Sequence, residues 1–420
     1  MALVFTSFLY LIAFSGAVAS NKIGINYGRL GNNLPSPARS IELLQNMNVG
    51  RVKLYDADYE ILNLLSGKNI DVAITVANDE IAGIAANQRL ADQWVYEHVV
   101  THYPNTRIRF VLVGHEVFSS INTTQDMQIA RDLVPAIRRV KNTLRARGIR
   151  NVKVGTPLAM DMMETTYPPS SGSFKPELLE FMVPLLKFIN GTKSSFFVDV
   201  YPYFAWFQSQ AMNQTSINLD FALLRTGNES YTDPQTGLVY KNLLDQMLDS
   251  VVYAMAKLGY DDVNLAISET GWPHEGGPGA TRENAAEYNN NLIRKMSAGS
   301  SNGTPARPNM RHDGCIFGDP SLIIQHRMRF NDPTSVFGCR LQSGNKSDEQ
   351  IGWCGGCCGR RGVSNSVGAA EGDGMRADPV GAVVGGGRWG EISSDRFGGG
   401  WRSKIRSDCE TLQGWKRVKH

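Results

Sequence analysis

Two stretches of the sequence end in the same way: Ile108-Arg-Phe-Val-Leu-Val-Gly-His-Glu116 and Val263-Asn-Leu-Ala-Ile-Ser-Glu269-Thr-Gly-Trp-Pro273. Each begins as an apolar run with the composition of a buried strand and then reaches a glutamate. Splitting an acetal needs one carboxyl group to protonate the leaving oxygen and a second to attack or stabilise the cation-like sugar. We interpret Glu116 and Glu269 as a candidate pair for glycosidic-bond chemistry, although a lone glutamate is more often an exposed loop residue or a helix cap.

The surrounding sequence alternates short apolar runs with helices whose apolar residues recur at intervals of three and four. Strands that are apolar on both faces and separated by helices predict a parallel sheet, either closed or open. We favour a closed (β/α)₈ TIM barrel, because such barrels carry catalytic groups on the C-terminal ends of several strands, and because Ile23-Gly-Ile-Asn-Tyr-Gly28 is not the G-x-G-x-x-G loop of an open sheet. The seven predicted strands are residues 23–27, 51–54, 71–76, 108–113, 152–158, 196–200 and 263–267.

After about residue 309 the sequence becomes rich in glycine and irregular, and all six cysteines follow residue 314. An eighth strand is not evident, so we expect it to be replaced or missing. Because this composition buries little apolar surface, we expect much of the tail to be disordered. The predicted organisation is a signal peptide at 1–20, a barrel at 21–309 and an atypical Gly/Cys-containing tail at 310–420. Cys354-x-x-Cys357-Cys358 lacks a second pair of ligands at a suitable spacing, so we expect no metal site.

The first 19 residues carry an apolar run and end in Ala17-Val18-Ala19, which is typical of a signal peptide. The run is shorter than the roughly 20 residues of a spanning helix, so we expect no membrane anchor after cleavage and a location outside the cell or in the cell wall. Scattered basic residues and a net charge of +3 predict no nucleic-acid surface, and we expect a monomer. Six glycosylation sequons agree with export: Asn122, Asn190, Asn213, Asn228, Asn302 and Asn345.

Aromatic residues stand at other predicted strand ends. Val200-Tyr-Pro-Tyr-Phe-Ala-Trp206 follows the sixth strand, Tyr27 closes the first, and Trp272 comes three residues after Glu269. Sugar rings stack on flat apolar faces, whereas a place in the core is the ordinary explanation for such residues. A tyrosine hydroxyl at a strand end could also hydrogen-bond a nucleophilic carboxylate and hold it ionised.

Taken together, six motifs resemble the plant glucan endo-1,3-β-glucosidases of glycoside hydrolase family 17, over about residues 23–307. The resemblance implies a TIM barrel that hydrolyses 1,3-β-glucan within the polymer and with retention, with Glu116 as acid/base, Glu269 as nucleophile and no cofactor. It also suggests that Tyr27, Tyr55, Tyr201 and Tyr203 lie in the sugar cleft. The motifs are Ile23-Gly-Ile-Asn-Tyr-Gly28, Gly31-Asn-Asn-Leu-Pro35, Val52-Lys-Leu-Tyr-Asp56, Val113-Gly-His-Glu-Val117, Val200-Tyr-Pro-Tyr-Phe204 and Ser268-Glu-Thr-Gly-Trp-Pro273.

Two departures from the family pattern bear on activity. The family has Asn immediately before the acid/base, where it is expected to hydrogen-bond the sugar 2-hydroxyl, and this chain has His115. Contacts to that hydroxyl supply several kcal/mol in the transition state, so a lost contact of about 3 kcal/mol predicts a rate loss of roughly 10²-fold. The second departure is the segment Pro308-Asn-Met-Arg-His-Asp-Gly-Cys315, where family members have an apolar eighth strand. The rival interpretation is a cell-wall protein that binds β-glucan but hydrolyses it slowly or not at all.

Overall fold

Eight parallel strands form the main sheet. The structure, a computed structural model, describes residues 24–29, 34–211, 217–297, 303–309, 313–317 and 339–340. Among these residues the strands are β1 Gly24–Tyr27, β2 Arg51–Leu54, β3 Asp71–Val76, β4 Arg107–Val113, β5 in two segments Lys153–Gly155 and Pro157–Ala159, β6 Ser195–Asp199, β7 Asn264–Glu269 and β8 Asp313–Phe317.

The sheet closes on itself. Strands β1 to β4 pair in sequence order, the first segment of β5 pairs with β4, and its second segment pairs with β6. Strand β7 pairs with β6, and β8 pairs with both β7 and β1, with Ile267 opposite Gly314 and Gly24 opposite Cys315. The predicted closed barrel is therefore confirmed, and closure leaves the sheet without an open edge.

The expectation of a replaced or missing eighth strand is corrected by β8. The barrel continues past the predicted boundary at residue 309, because Asp313–Phe317 fills the gap between β1 and β7. Asp and Gly are depleted in strands, so the first half of this segment gives little strand signal in the sequence. Backbone hydrogen bonds on both sides form the strand where the side-chain pattern does not predict it. Apart from this strand and Cys339–Arg340, the tail lies outside the described residues, as does the predicted signal peptide.

Helices cover the outside of the barrel, and their predicted faces are confirmed. Thr123 caps the long helix α5, Thr124–Ala146, by accepting a hydrogen bond from the backbone N–H of Asp126. The apolar face of this helix, which includes Leu133, Ile137 and Val140, is fully buried. Among the described residues no helix combines the length and apolar character that crossing a bilayer requires. The helices are α1 Pro37–Asn46, α2 Tyr59–Leu64, α3 Ile81–Ala86, α4 Gln88–Val95, α5 Thr124–Ala146, α6 Leu179–Thr192, α7 Pro202–Ala211, α8 Leu219–Ala222, α9 Leu243–Lys257 and α10 Arg282–Ser297.

Shorter elements decorate the loops. Met163–Thr165 pairs antiparallel with Ser173–Phe174, and Tyr231–Thr232 pairs antiparallel with Val239–Tyr240. Pro273–Glu275, just after β7, pairs in parallel with Cys339–Arg340. The short helical turns are Asn78–Glu80, Tyr96–Val100, Val117–Ser120, Met160–Met162, Pro169–Ser171 and Pro176–Leu178.

The two faces of the strands differ, and the difference positions the site. Outward residues join the large core between strands and helices, whereas Leu112, Phe197 and Ala266 form a separate small cluster that we place inside the barrel. Nearer the C-terminal ends the inward positions become polar: Nδ2 of Asn26 donates to the carbonyl oxygen of Ser268 at 3.2 Å. The C-terminal end of the barrel therefore has a polar interior.

Candidate active site

Glu269 ends β7 and lies at the centre of the polar cluster. Nζ of Lys53 donates to its Oε1 at 2.7 Å, Nε2 of His115 contacts the same oxygen at 2.8 Å, and the Tyr201 hydroxyl donates to Oε2 at 2.6 Å. Because an ionised carboxylate only accepts hydrogen bonds, Nε2 of His115 carries the proton in this contact. Lys53 belongs to β2, while His115 and Tyr201 follow β4 and β6. Four remote parts of the chain therefore meet at one carboxylate.

These donors set the ionisation of Glu269. Burial by itself would raise the pKa of this carboxyl, but the charges and hydrogen bonds of Lys53 and His115 outweigh it and hold the pKa well below its usual range. Burial, together with the negative charge of Glu269, raises the pKa of Tyr201 well above its usual value, so the phenol keeps its proton and remains a donor. The carboxylate is thus ionised and fixed in orientation, as an attacking group must be.

Lys53 is the buried cation of the site. Its side chain is 1% exposed, and Nζ also donates to Oγ of Ser268 at 2.9 Å and lies 4.9 Å from the ring centroid of Tyr55. A buried ammonium is costly unless it is paired. The pairing with Glu269 explains how a lysine occupies the inward position of β2.

A second buried carboxyl, Asp199, stands beside Glu269. It ends β6 directly opposite Glu269 in the strand register, and its side chain is fully buried. Its Oδ2 lies 3.5 Å from Nε2 of His115, and neither oxygen has a hydrogen-bond partner among the described residues. Burial, and then the charge of Glu269, raise the pKa of Asp199 to about 8. Neighbouring carboxyl groups in different environments thus differ in protonation at neutral pH.

Glu116 follows β4 on a turn of unusual backbone geometry. Gly114 has φ +71°, and a Cβ there would lie 2.7 Å from Cγ2 of Val117. Glu116 itself has φ 48° and ψ 41°, a left-handed conformation that is uncommon for a residue with a side chain and costs about 1–3 kcal/mol. Such strain persists only where surrounding contacts impose it, and it concentrates at functional sites.

The contacts that impose it come from neighbouring strand ends. Asn78 holds His115 from both sides, since its Oδ1 accepts from the His115 backbone N–H at 2.8 Å and its Nδ2 donates to the His115 carbonyl at 3.0 Å. The backbone N–H of Glu116 donates to the carbonyl of Pro157 at 3.1 Å. Glu116 is partly exposed, and its charge makes a minor contribution to the raised pKa of Asp199.

The predicted sugar-binding aromatics divide into two groups. Tyr201 contacts Glu269, and Tyr55 lies edge-on to His115 with ring centroids 5.4 Å apart, so both belong to the site. Trp272 and Tyr203 are only 0% and 1% exposed and pack in the core, and their contact with sugar stays a prediction.

The buried aromatics Trp272 and Tyr203 have a structural role. The ring centroids of Trp272 and Tyr203 lie 5.1 Å apart, and Nε1 of Trp272 donates to the Gly279 carbonyl at 2.8 Å, which fixes the turn after Glu269. Tyr27 is also part of the buried core, and its sugar contact stays a prediction.

Three of the six predicted glycosylation sites lie among the described residues. Asn122 and Asn228 are exposed, and Asn190 is half-buried in α6, where its Oδ1 accepts from Nζ of Lys193 at 3.0 Å. Glycosylation at these positions stays a prediction. Asn213, Asn302 and Asn345 lie outside the described residues.

Sequence reasoning missed Lys53, Asp199 and Ser268. Each interrupts or ends an apolar strand with a polar residue: Val52-Lys-Leu54, Phe197-Val-Asp199 and Ile267-Ser-Glu269. Since successive side chains of a strand point to opposite faces, a charged residue between two outward apolar ones, as Lys53 is between Val52 and Leu54, was the clearest available signal for an inward polar position.

Barrel glycosidases carry their two reacting carboxyl groups at the C-terminal ends of strands, which is where Glu116 and Glu269 lie in this chain. The sequence model described as "Glycosyl hydrolases family 17" matches residues 23–318, and the chain belongs to this family.

Two relatives and one solved structure illustrate the likeness. The chain is 54% identical over 295 residues to "Probable glucan endo-1,3-beta-glucosidase A6" of Arabidopsis thaliana, covering 69% of this chain and 60% of that protein. It is 36% identical over 313 residues to "Glucan endo-1,3-beta-glucosidase 14" of the same plant, covering 74% and 77%. CJP38, "a beta-1,3-glucanase and allergen of Cryptomeria japonica pollen", matches with a TM-score of 0.66 and 34% identity, covering 76% of this chain and 94% of that structure. The chain thus spans less than two thirds of the first of these relatives.

Proposed function

We propose that this protein hydrolyses internal linkages of 1,3-β-glucans with retention of configuration. The observation that carries the proposal is the environment of Glu269, an ionised carboxylate held by donors from three other strand ends. The names of its relatives, which are glucan endo-1,3-β-glucosidases, support the substrate.

In this mechanism Glu269 attacks the anomeric carbon while Glu116 protonates the leaving glycosidic oxygen. The covalent glycosyl-enzyme is then hydrolysed by a water that Glu116 activates as a base, and Glu269 leaves as a carboxylate. The retaining route needs carboxyl groups about 5–5.5 Å apart. No step requires a metal or an organic cofactor.

The donors around Glu269 affect the two steps in opposite directions. Attack on the sugar transfers charge away from a carboxylate that Lys53 and Tyr201 stabilise, which slows the first step. In the second step the departing carboxylate regains those hydrogen bonds, which makes it a good leaving group. We therefore expect formation of the glycosyl-enzyme to be slower than its hydrolysis.

We also infer that the protein is exported and acts as a monomer in the cell wall or outside the cell, where it serves plant defence. The apolar run before Ala17-Val18-Ala19 and the exposed sequons at Asn122 and Asn228 support export. Cleavage and glycosylation would be seen as a mature N-terminus near residue 20 and a mass that falls after enzymatic removal of N-glycans.

The test is the release of reducing ends from a soluble 1,3-β-glucan, with a 1,4-β-glucan as the comparison substrate. Wild type should act on the first polymer, and Glu269→Gln should lose activity by roughly 10³-fold or more. The activity of Glu116→Gln should be restored on substrates whose leaving group departs without protonation. The matched control is Glu164→Gln, at an exposed glutamate on Met163–Thr165. Retention of activity in Glu269→Gln would refute the assigned nucleophile.

One observation favours a second function, that of a β-glucan-binding protein without appreciable turnover. His115 stands where the family has Asn, and its ring occupies a hydrogen-bonding position on Glu269 itself. Such a protein would retain 1,3-β-glucan in a pull-down with the insoluble polymer and release no new reducing ends.

A further inference from the structure

Three side chains around the site converge in a way that the hydrolytic mechanism does not use. Nε2 of His115, an oxygen of Asp199 and an oxygen of Glu269 all lie within 4.8 Å of one another. We propose that these residues form a binding site for one Zn²⁺ ion and that the bound ion inhibits the enzyme. The inhibition rests on the proposed function, whereas ion binding by itself does not.

Two of the three separations between ligand atoms are near those around a tetrahedral ion. Zinc binds nitrogen and oxygen ligands at about 2.0–2.2 Å, so two ligands of a tetrahedral site stand roughly 3.3 Å apart. Nε2 of His115 and Oδ2 of Asp199 are 3.5 Å apart, close to that value. Nε2 and Oε1 of Glu269 are 2.8 Å apart, so on binding Nε2 releases to solvent the proton that it donates to Oε1, and the two atoms separate by a few tenths of an ångström. Such a change is within reach of a side-chain rotation.

Asp199 is an independent reason to place an ion here. Its side chain is fully buried and points at His115, yet neither oxygen has a hydrogen-bond partner among the described residues. Buried polar groups without partners are rare, because each costs the free energy of its lost hydration. An ion between Asp199 and His115 would satisfy the carboxylate.

The ligand set selects the kind of ion. One imidazole with two carboxylates suits zinc and its neighbours in the first transition series, whereas calcium and magnesium prefer oxygen ligands alone. His115, which is 17% exposed, provides the route for an ion from solvent. Lys53 contacts Glu269 at 2.7 Å and repels a dication, which favours reversible occupancy over permanent retention.

Binding and turnover are mutually exclusive in this arrangement. An ion held by Oε1 of Glu269 engages the lone pairs that would attack the sugar, so the carboxylate loses its nucleophilic character. The ion is thus an inhibitor of this site and has no part in the reaction. A sequence of this family with Asn at the position of His115 would offer only the two carboxylates.

The first measurement is a titration of the metal-free, full-length protein with Co²⁺, which reports low-symmetry coordination by visible absorption. One equivalent should produce the absorption, and Zn²⁺ should remove it by displacement. His115→Asn and Asp199→Asn should each weaken binding at least 10-fold, since loss of even an outer-shell partner costs about 10–100-fold in metal affinity. The matched control is His98→Asn, because His98 contacts the Ala57 carbonyl outside the cluster and should leave the titration unchanged. Thermal melting checks that each variant is folded.

The second measurement is Zn²⁺ inhibition of glucan hydrolysis, with each variant compared with its own metal-free rate. Wild type and His98→Asn should be inhibited alike, and the inhibition constant should rise at least 10-fold in His115→Asn. The site is overturned if wild type gives no such Co²⁺ absorption, or if both site variants bind as wild type does. Binding without inhibition would overturn the inhibitory role. A protein that binds Co²⁺ but has no activity without metal would contradict the proposed function and leave the site standing.

Discussion

Nζ of Lys53 donates a hydrogen bond to Oε1 of Glu269 at 2.7 Å, and both side chains are almost wholly buried. The lysine comes from β2 and the glutamate from β7, so the contact crosses the interior of the barrel. Its charge is the foremost effect that opposes burial in setting the pKa of Glu269. The pair therefore links closure of the barrel to the ionisation of the proposed nucleophile.

Replacing Lys53 tests this link. In Lys53→Met, burial is opposed only by the remaining donors, so the pKa of Glu269 rises and the acidic limb of kcat/KM moves to higher pH. Breaking a buried pair also costs about 3–5 kcal/mol of stability. The control is Lys141→Met, a buried lysine that donates to the Val152 carbonyl at 2.8 Å. Lys141→Met should lower the melting temperature without moving the acidic limb of kcat/KM. If the acidic limb moved equally in Lys53→Met and Lys141→Met, the proposed link would be contradicted.

The Tyr201 hydroxyl offers a smaller perturbation of the same carboxylate. Tyr201→Phe removes a hydrogen bond of 2.6 Å to Oε2 of Glu269, and a bond to a charged group contributes about 1.5–3 kcal/mol. Because the hydroxyl stabilises the carboxylate that departs in the second step, we expect hydrolysis of the glycosyl-enzyme to slow about 10- to 100-fold, measured as accumulation of the glycosyl-enzyme with an activated substrate. Tyr203→Phe is the matched control, because that hydroxyl donates to the Pro278 carbonyl and does not touch Glu269. Similar losses in the two variants would show that the effect is one of packing.

His115→Asn introduces the residue that the family carries at this position. If a contact to the sugar 2-hydroxyl worth about 3 kcal/mol is restored, kcat/KM on a soluble 1,3-β-glucan should rise roughly 10²-fold. Lys53 and Tyr201 would continue to hold Glu269. His115→Ala removes the imidazole without supplying an amide and should not gain activity. An unchanged rate in His115→Asn would refute this explanation of the substitution.

Asp249 gives a prediction about stability. Burial raises the pKa of this carboxyl from 3.8 to about 6, although its Oδ2 accepts from the Ala306 backbone N–H at 2.8 Å. The folded state then holds a proton that the unfolded chain loses at lower pH, so stability falls as pH rises from about 4 to about 6, by up to about 3 kcal/mol. Asp249→Asn should flatten this fall in the free energy of unfolding. If the free energy of unfolding changed with pH in the same way in Asp249→Asn and in wild type, the prediction would be contradicted.

The sequence predicts the barrel well because its strands and helices have distinct periodicities. A two-residue alternation or a continuous apolar run indicates a strand, and a three-to-four spacing indicates a helix, as in α5. Glu116 and Glu269 were found because each follows such a strand. Once the parallel sheet is closed, the C-terminal ends of its strands lie at the same end of the barrel, so both glutamates are placed there.

The remaining features depend on contacts between distant parts of the chain. Strand β8 forms because β1 and β7 both offer unpaired backbone groups, which Asp313-Gly-Cys-Ile-Phe317 does not reveal by composition. Lys53 and Asp199 are recognisable as site residues only when Glu269 is seen beside them. For Trp272, an aromatic ring is compatible with a core residue or a sugar platform, and its complete burial is visible only in the folded chain.

The stereochemistry of hydrolysis tests the central claim most directly. The first product released from a 1,3-β-glucan by the wild-type protein can be observed by proton NMR before its anomers equilibrate. A double displacement through Glu269 predicts that the new reducing end appears as the β-anomer and converts to the α-anomer only by mutarotation. Initial release of the α-anomer would contradict the account, because it requires direct attack by water.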